Sequence, residues 1–184
     1  MRNKAGYEYL LVYKITVPIY DYTVIFCNRY VNKTSRTHDQ MVQAARSGMQ
    51  NITEGYTQES LSGYIKLSGI SRGSLEELLK DYLAYARQHG IAFWPKEGVI
   101  REIGEVREIW EILRKTPTLP DNPDFPDLPD NPEKAVNLMV TLVHQANYLL
   151  DKLIDSLKDK HRREGGFSEK LLRERLAYRQ NKRS

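Results

Sequence analysis

The stretch THDQMVQAARSGMQNITEGY, residues 37–56, has the spacing of one amphipathic helix. Steps of three and four residues join the members of its apolar stripe, which are Met41, Ala44, Ala45, Gly48, Ile52 and Gly55. Asn51 lies on the same stripe, between the two glycines. Glycine inside a helix costs about 1 kcal/mol relative to alanine, and a buried amide is costly unless it is hydrogen-bonded. We therefore expect this face either to pack closely on another helix or to form a site.

A second small-residue patch occurs in the next predicted helix, at about residues 62–88. Its apolar positions are Ile65, Leu75, Leu78, Leu79, Tyr82 and Ala86, and its small or polar positions are Ser68, Gly69, Gly73 and Ser74. Because small side chains let two backbones approach, we predict that the two helices cross at these patches. His89 and Gly90 then end the helix with a left-handed cap.

The spacing predicts a first helix over residues 7 to about 31. Pro18 lies inside it, which predicts either a kink or two helices that meet there. Thr37, followed three residues later by Gln40, predicts the capping box that starts the second helix.

Three further helices are predicted after residue 90. A short one covers 99–114, a long one covers about 133–160, and Gly165 with Gly166 ends the long one. Ser168 is the expected cap of a final short helix.

Residues 120–132, PDNPDFPDLPDNP, repeat a Pro-Asp-x triplet. Proline at every third position favours polyproline II, which has three residues per turn, so the four aspartates at 121, 124, 127 and 130 would align along one edge. Twelve such residues extend about 37 Å, the length of a helix of about 24 residues. The connector is therefore long enough to return the chain along a whole bundle.

These elements predict an all-α fold, an antiparallel up-and-down four-helix bundle with an inserted short helix and a C-terminal suffix helix. The bundle would occupy residues 1–160, including the insert at 91–132, and a basic suffix segment would occupy 161–184. A chain of 184 residues is long enough to bury a substantial core.

The net charge of +4 conceals two segments of opposite sign. Residues 116–133 hold five acidic and no basic side chains, whereas residues 156–184 hold ten basic and four acidic ones. Cys27 is the only cysteine, which excludes an intramolecular disulfide and suits a reducing compartment. Neither a signal peptide nor a membrane-spanning run is evident, so we expect a cytoplasmic protein that does not enter a membrane.

Reaction chemistry is not recognisable in the sequence. A two-metal carboxylate site in a bundle needs Glu-x-x-His pairs, and none occurs. A metal or acid–base set of His38, Asp39 and Glu54 is excluded, because Asp39 and Glu54 are separated by about 22 Å along one helix and cannot share a site within one chain. Phosphate-cradling glycine loops and serine nucleophile elbows are also missing. We expect no catalytic residue, metal, cofactor or small-molecule substrate.

Arg46, Gln50 and Glu54 form a polar ladder that could face residues of the third helix, namely Arg72, Glu76 and Glu77. One interpretation is a ligand or partner site, which as an enzyme would require an enclosed cavity. The favoured interpretation is a buried salt-bridge network that fixes the register of the helices.

Two further features suggest partners. Six tyrosines, at 7, 9, 13, 20, 22 and 30, crowd the first helix, which favours self-association over simple edge packing. The basic suffix offers a candidate nucleic-acid-binding set, or else a solvated helix end, and its members are Arg162, Arg163, Lys170, Arg173, Arg175 and Arg179. A further hypothesis places the aspartates of the connector against this suffix.

RTHDQMVQAARSGMQNITEGY at 36–56 and YIKLSGISRGSLEELLKDY at 64–82 resemble the bacterial four-helix-bundle proteins related to those encoded in intervening sequences of large-subunit ribosomal RNA genes. LVHQANYLLDKL at 142–153 and EGGFSEKLLRER at 164–175 resemble the subset with a four-helix-bundle suffix domain.

The resemblance implies an antiparallel bundle whose relatives form ring-shaped homopentamers. It also implies distant kinship with basic accessory proteins of diversity-generating retroelements, which bind a reverse transcriptase and its nucleic acid. The residues that match the family motif are Arg46, Asn51, Glu54, Gly55, Ser74 and Glu76 or Glu77, in an architectural role.

The sequence therefore predicts a non-enzymatic oligomeric scaffold or accessory protein. Its partners would be RNA, DNA or a reverse-transcriptase-like enzyme, bound through basic surfaces. The alternative is a protein–protein interaction module that uses the tyrosine-rich first helix and the acidic connector, with no nucleic acid.

Overall fold

A computed structural model describes residues 4–181, and within that range the chain is helical without a strand. A 3-10 helix at Gly6–Tyr9 precedes seven α-helices. These are α1 at Leu11–Tyr30, α2 at Arg36–Tyr56, α3 at Leu61–Gln88, α4 at Lys96–Glu102, α5 at Gly104–Lys115, α6 at Pro132–Glu164 and α7 at Phe167–Asn181. The prediction of an all-α fold is confirmed.

The four longest helices pack in the cyclic order α1, α2, α3, α6. Along three of the neighbouring pairs, the contacting residue numbers rise in one helix and fall in the other, so the partners run in opposite directions. For α1 and α2, Cys27 contacts Met41, and Tyr7 of the 3-10 helix that leads into α1 contacts Tyr56. For α2 and α3 the pairs are Gly48 with Leu75 and Gly55 with Tyr64, and for α3 and α6 they are Arg72 with Asp151 and Glu76 with Asn147.

The core includes side chains from outside these four helices. Val106, Ile109 and Leu113 of α5 are buried with them, and so are Leu119, which precedes the connector, and Leu128 within it. The insert is therefore part of the same hydrophobic core. None of the helices within residues 4–181 is long and apolar enough to cross a membrane.

Two of the predicted helix ends are confirmed and two are corrected. Gly90 has a φ of 64°, and the Ile91 amide donates to the Ala86 carbonyl at 2.9 Å, which completes the cap of α3. Gly165, with a φ of 78°, ends α6. The cap of α2 is Ser35, not Thr37, because the Ser35 hydroxyl accepts the Thr37 amide at 3.2 Å.

The start of α7 also differs from the prediction. The helix begins at Phe167, and the Glu169 carboxylate accepts the Gly166 amide at 2.9 Å. Ser168 consequently lies within the first turn of α7 and is not its cap.

One alternative at Pro18 is excluded, and one prediction about helix continuity was wrong. Helix α1 passes through Pro18 without ending, so two helices do not meet there, and the kink stays a prediction. The single helix predicted at 99–114 is divided into α4 and α5 at Ile103, whose φ of −114° and ψ of 89° are not helical. Gly104, which follows directly, has a low helix propensity and eases the break. The apolar spacing continues across Ile103, which is why the sequence pattern did not reveal it.

The connector runs along α1 in the same direction as that helix. Asp121 pairs with Lys4 at 2.6 Å, the Tyr22 hydroxyl donates to the carbonyl of residue 126, and the Tyr30 hydroxyl donates to the Asp130 carbonyl at 2.6 Å. The chain thus returns to the end of the bundle where α6 begins, as expected from the length of the connector. The side chains of all four connector aspartates are exposed.

Candidate functional site

The crossing of α2 and α3 is close at the two glycines of α2. A Cβ atom at Gly48 would lie 2.5 Å from Leu75 Cδ2, and one at Gly55 would lie 2.9 Å from Tyr64 Cδ2. Both distances are shorter than a van der Waals contact, so only glycine fits without a shift of its neighbour. The crossing predicted from the sequence is present.

Several polar groups at this crossing bond to one another, although the buried hydroxyls of Tyr64 and Ser68 have no hydrogen-bond partner among the described residues. The Ser71 hydroxyl donates to the Gly48 carbonyl at 2.5 Å, and the hydroxyls of Ser47 and Ser74 lie 3.0 Å apart. Asn51 donates to the Ser47 hydroxyl at 2.9 Å, so it bonds within its own helix and reaches α3 only through Ser47. We expected Asn51 to contact the neighbouring helix directly.

Part of the predicted patch on α3 faces away from α2. No atom lies within 4 Å of a Cβ built at Gly69 or at Gly73, and both residues are exposed. Buried Ser68 and Ser71 occupy the contact face in their place.

The predicted ladder between α2 and α3 is wrong. Arg46 and Glu54 are exposed, because they lie just outside the buried stripe of α2. They do not form a buried network within this chain, and Glu77 is exposed as well.

Arg72 and Glu76 do form a network, but it faces α6. Arg72 bonds to Glu76 at 2.9 Å and to Asp151 at 3.1 Å, and Asn147 donates to Glu76 at 3.5 Å. The hydrogen bond from Arg72, followed by that from Lys80, lowers the pKa of the Glu76 carboxyl. The network ties α3 to α6 and is half-exposed at the surface.

A shallow open hollow lies beside Ser47 and Ser74, bordered by Glu77 and Asp81. Burial, with a smaller effect of Glu77, raises the pKa of the Asp81 carboxyl. Since Arg46 and Glu54 are exposed elsewhere on the surface, the hollow does not gather the set that an enzymatic interpretation required.

The tyrosines of the N-terminal region are mostly covered by this chain itself. The Tyr7 ring packs edge-on against Tyr13, with centroids 4.9 Å apart, and it also contacts Tyr56. Tyr22 and Tyr30 bond to the connector, and of the six only Tyr9 is exposed. The tyrosine content therefore does not by itself argue for a second protein surface.

Two of the connector aspartates pair with cations on the N-terminal side of the molecule. Asp130 pairs with Arg29 at 2.9 Å, just as Asp121 pairs with Lys4. The hypothesis that the aspartates hold the suffix in place is not supported by these contacts.

The basic suffix is the most exposed part of the described chain. No residue of α7 is buried. All six predicted cations are exposed, and they are Arg162, Arg163, Lys170, Arg173, Arg175 and Arg179. Arg162 pairs with Asp159 at 2.6 Å, and Arg173 donates to the Glu164 carbonyl. These contacts are local to the suffix, so the positive charge remains accessible to solvent.

A groove that the sequence did not indicate lies between the insert and α6. Its volume is about 790 Å³, and it is lined mainly by apolar side chains. Both tryptophans of the chain line it, and each is held in place by its indole N–H. Trp94 donates to Glu133 at 2.5 Å, and Trp110 donates to Gln145 at 2.7 Å. The Arg114 guanidinium lies 5.2 Å from the centre of the Trp110 ring.

The groove could not be predicted from the sequence because its walls come from distant parts of the chain. Leu11 of α1, Leu83 of α3, Val99 of α4, Trp110 of α5 and Val140 of α6 all contribute. The two tryptophans were the one indication of a groove in the sequence. One is next to proline at 94–95 and the other is in a short helix, and a side chain as large and apolar as tryptophan is costly to leave half-exposed.

Across residues 4–181, no group of three or more His, Cys, Asp or Glu side chains is placed to hold a metal ion. Cys27 is buried, which raises the pKa of its thiol to about 12. Comparison with protein-family models, with curated proteins and with solved structures found no match to this chain.

Proposed function

We propose that this chain is a non-enzymatic, oligomeric scaffold or accessory protein that binds nucleic acid, or an enzyme acting on nucleic acid, through α7 and the end of α6. The observation that carries the proposal is the exposure of α7 over its whole length, together with its clustered cations. Phosphate binding requires accessible, clustered positive charge more than any fixed motif.

The alternative function is less favoured, because the surfaces that it would use are already in contact with each other. A protein-only module would use the tyrosine-rich first helix and the acidic connector. Tyr22, Tyr30 and Asp130 are engaged in contacts between those two elements. The cations of α7 are not occupied in this way, which favours nucleic acid as the partner.

The finer parts of the proposal come from the family resemblance. They are assembly into a ring, with five subunits as in the relatives, and a reverse-transcriptase-like partner. The proposed cytoplasmic location rests instead on the sequence, in which Cys27 is the only cysteine. Arg46 and Glu54, which match the family motif, are exposed in the single chain. In an assembly they would be available to a neighbouring subunit.

The test is binding of labelled short RNA and DNA, followed by fluorescence anisotropy between 50 and 200 mM salt. If four cations contact phosphates of a single strand, affinity should fall by about 50-fold over this range, because each contact releases counterions. Replacing Lys170, Arg173, Arg175 and Arg179 together by Gln should weaken binding by about tenfold or more at 100 mM salt and flatten the salt dependence.

A matched control removes the same charge elsewhere. Lys33, Lys66, Arg87 and Arg107 are exposed on other parts of the molecule, and their joint replacement by Gln should leave affinity within about twofold. Equal losses in the two variants, or wild-type binding that does not change with salt, would refute the proposal.

A further inference from the structure

The groove between the insert and α6, which we call the tryptophan groove, is held open by hydrogen bonds. The Trp94 amide donates to Asn137 Oδ1 at 2.9 Å, and the side-chain amide of Asn137 donates to the Ala92 carbonyl at 3.0 Å. The two indole hydrogen bonds also join the insert to α6. Four bonds thus fix this wall, so a ligand would meet a site that needs little ordering.

The apolar side chains of the groove are only half-buried, although they pack on the hydrophobic core. The residues of this kind are Leu11, Leu83, Trp94, Trp110, Val140 and Leu149. The exposed rings of Phe93 and Tyr148 also line the groove. Sites for small molecules typically enclose about 300–1,000 Å³ and are lined mainly by apolar and aromatic side chains. The groove, at about 790 Å³, has this size and this lining.

The charged residues that line the groove are basic. They are Lys96 and Arg114, and Glu133, which accepts the Trp94 indole, is not among the lining residues. Neither cation is in an ion pair with an acidic side chain of residues 4–181. His144 also lines the groove, and its protonation would add positive charge. The charge of the groove is therefore complementary to an anion.

Arg114 is positioned to bind such an anion beside an aromatic ring. Its guanidinium lies 5.2 Å from the centre of the Trp110 ring. A guanidinium that stacks on a ring keeps the N–H groups at its edge as donors for an acidic group. Lys96 supplies a second cation from α4. A body attached to the acidic group would lie against the apolar side chains of the groove.

The lining favours an apolar body over a polar one such as a nucleobase. The indole N–H groups of Trp94 and Trp110 and the side-chain amide of Asn137 already bond within the chain. A polar body would lose its hydrogen bonds to water and would find few donors in return, which costs binding free energy.

We propose that the tryptophan groove binds a small organic anion with an aromatic body and one acidic group, a carboxylate or a sulfonate. Arg114 and Lys96 bind the acidic group, and the body displaces water from the half-buried apolar side chains. The lining residues lie between positions 11 and 149, before α7 begins, so the inference does not rest on the proposed function.

The test uses two compounds that share one aromatic body. Anilinonaphthalenesulfonate carries a sulfonate, and N-phenylnaphthylamine is the same body without it. Trp94 and Trp110 are the two tryptophans of the chain and both line the groove, so quenching of tryptophan emission reports binding there. Titration of the full-length protein with each compound gives two dissociation constants for each variant.

The cation variant is Lys96→Gln with Arg114→Gln. It should weaken binding of the sulfonate about tenfold and change binding of the neutral compound by less than about twofold, because only the sulfonate makes charge-assisted hydrogen bonds. The matched control is Lys33→Gln with Lys66→Gln, two exposed cations outside the groove. It should change neither affinity by more than about twofold, since distant surface charges are screened.

The ring variant is Phe93→Ser with Tyr148→Ser, and both residues are exposed, so the fold is preserved. It should weaken binding of both compounds about tenfold, because it removes apolar surface that they share.

Four results would each overturn the inference. They are a wild type that binds neither compound, a cation variant that keeps its affinity for the sulfonate, a cation variant that loses both compounds equally, and a ring variant with unchanged affinities. Reversal of the quenching by a short RNA or DNA would overturn it as well, because the groove would then be a nucleic-acid site.

Discussion

Gly48 leaves no room for a side chain at the crossing of α2 and α3. We expect Gly48→Ala to lower the free energy of unfolding by about 1–2 kcal/mol, since overpacking costs about 1–3 kcal/mol and the helix propensity of alanine returns up to about 1 kcal/mol. The measurement is urea unfolding followed by circular dichroism.

Gly73 provides the matched control on α3, because nothing lies within 4 Å of a Cβ at that position. Gly73→Ala should raise the free energy of unfolding by up to about 1 kcal/mol. If the two substitutions have the same sign, the close approach at Gly48 does not exist in solution.

Buried phenol groups make the protein sensitive to alkali. Burial raises the pKa of Tyr22, Tyr64 and Tyr82 above their usual value of 10.0, to about 12 for Tyr64. Above pH 10 the unfolded chain releases these protons while the folded chain retains them, so stability is complete below pH 10 and is lost as pH rises through the folded pKa values. Each such group contributes a slope of about 1.4 kcal/mol per pH unit.

Thermal unfolding between pH 9 and 11.5 measures this slope. Burial lowers the pKa of Lys14, which acts in the opposite sense below pH 10.5, but the tyrosines outnumber it. Tyr22→Phe should make the decline with pH shallower, whatever it does to stability at neutral pH. A flat profile above pH 10 would show that these phenols are not buried.

At the scale of elements, the connector contributes to the core. Leu128 is 2% exposed, although the acidic, proline-rich segment around it is polar. Leu128→Ala should cost about 2–5 kcal/mol, the range for a buried leucine, whereas Asp124→Ala on the exposed edge should change stability by about 0.5 kcal/mol or less. Denaturant unfolding compares the two, and equal small effects would mean that the connector is not packed against α1.

Much of the arrangement of the helices and of the connector was predictable from the sequence. The stripes of α2 and α3 repeat at helical spacing, and the glycines of α2 predicted the crossing, because a missing side chain constrains the distance between helices directly. The glycines of α3 did not, since Gly69 and Gly73 face away from α2. The length of the connector predicted that it returns the chain along the whole bundle. The exposure of Arg46 and Glu54 was not predictable. Both are next to buried positions on α2, and the rotation of α2 about its own axis decides whether they face the core or the solvent.

Other features depend on tertiary structure alone. The break at Ile103 leaves the apolar period unchanged, so the sequence pattern cannot show it. The tryptophan groove unites residues of five helices and the segment before α4, and Lys14 is buried because its amine bonds to carbonyls of Leu113 and Thr116. Contacts between residues about 100 positions apart leave no local signature.

At the scale of the whole molecule, two features of the surface are prominent. One is α7, whose cations are exposed, and the other is the groove between the insert and α6. The proposed function uses the first, because an assembly would present the cations of several copies to one polyanion. The acidic connector is held against the N-terminal region and α1 by the pairs of Asp121 with Lys4 and of Asp130 with Arg29.

The most direct test of this account is molar mass by light scattering, with and without a mixed pool of short RNA and DNA at low salt. We predict a multiple of 21.4 kDa for the protein alone and a further increase when the oligonucleotides are added, which disappears at high salt. A mass of 21.4 kDa that does not change with oligonucleotides would contradict the account.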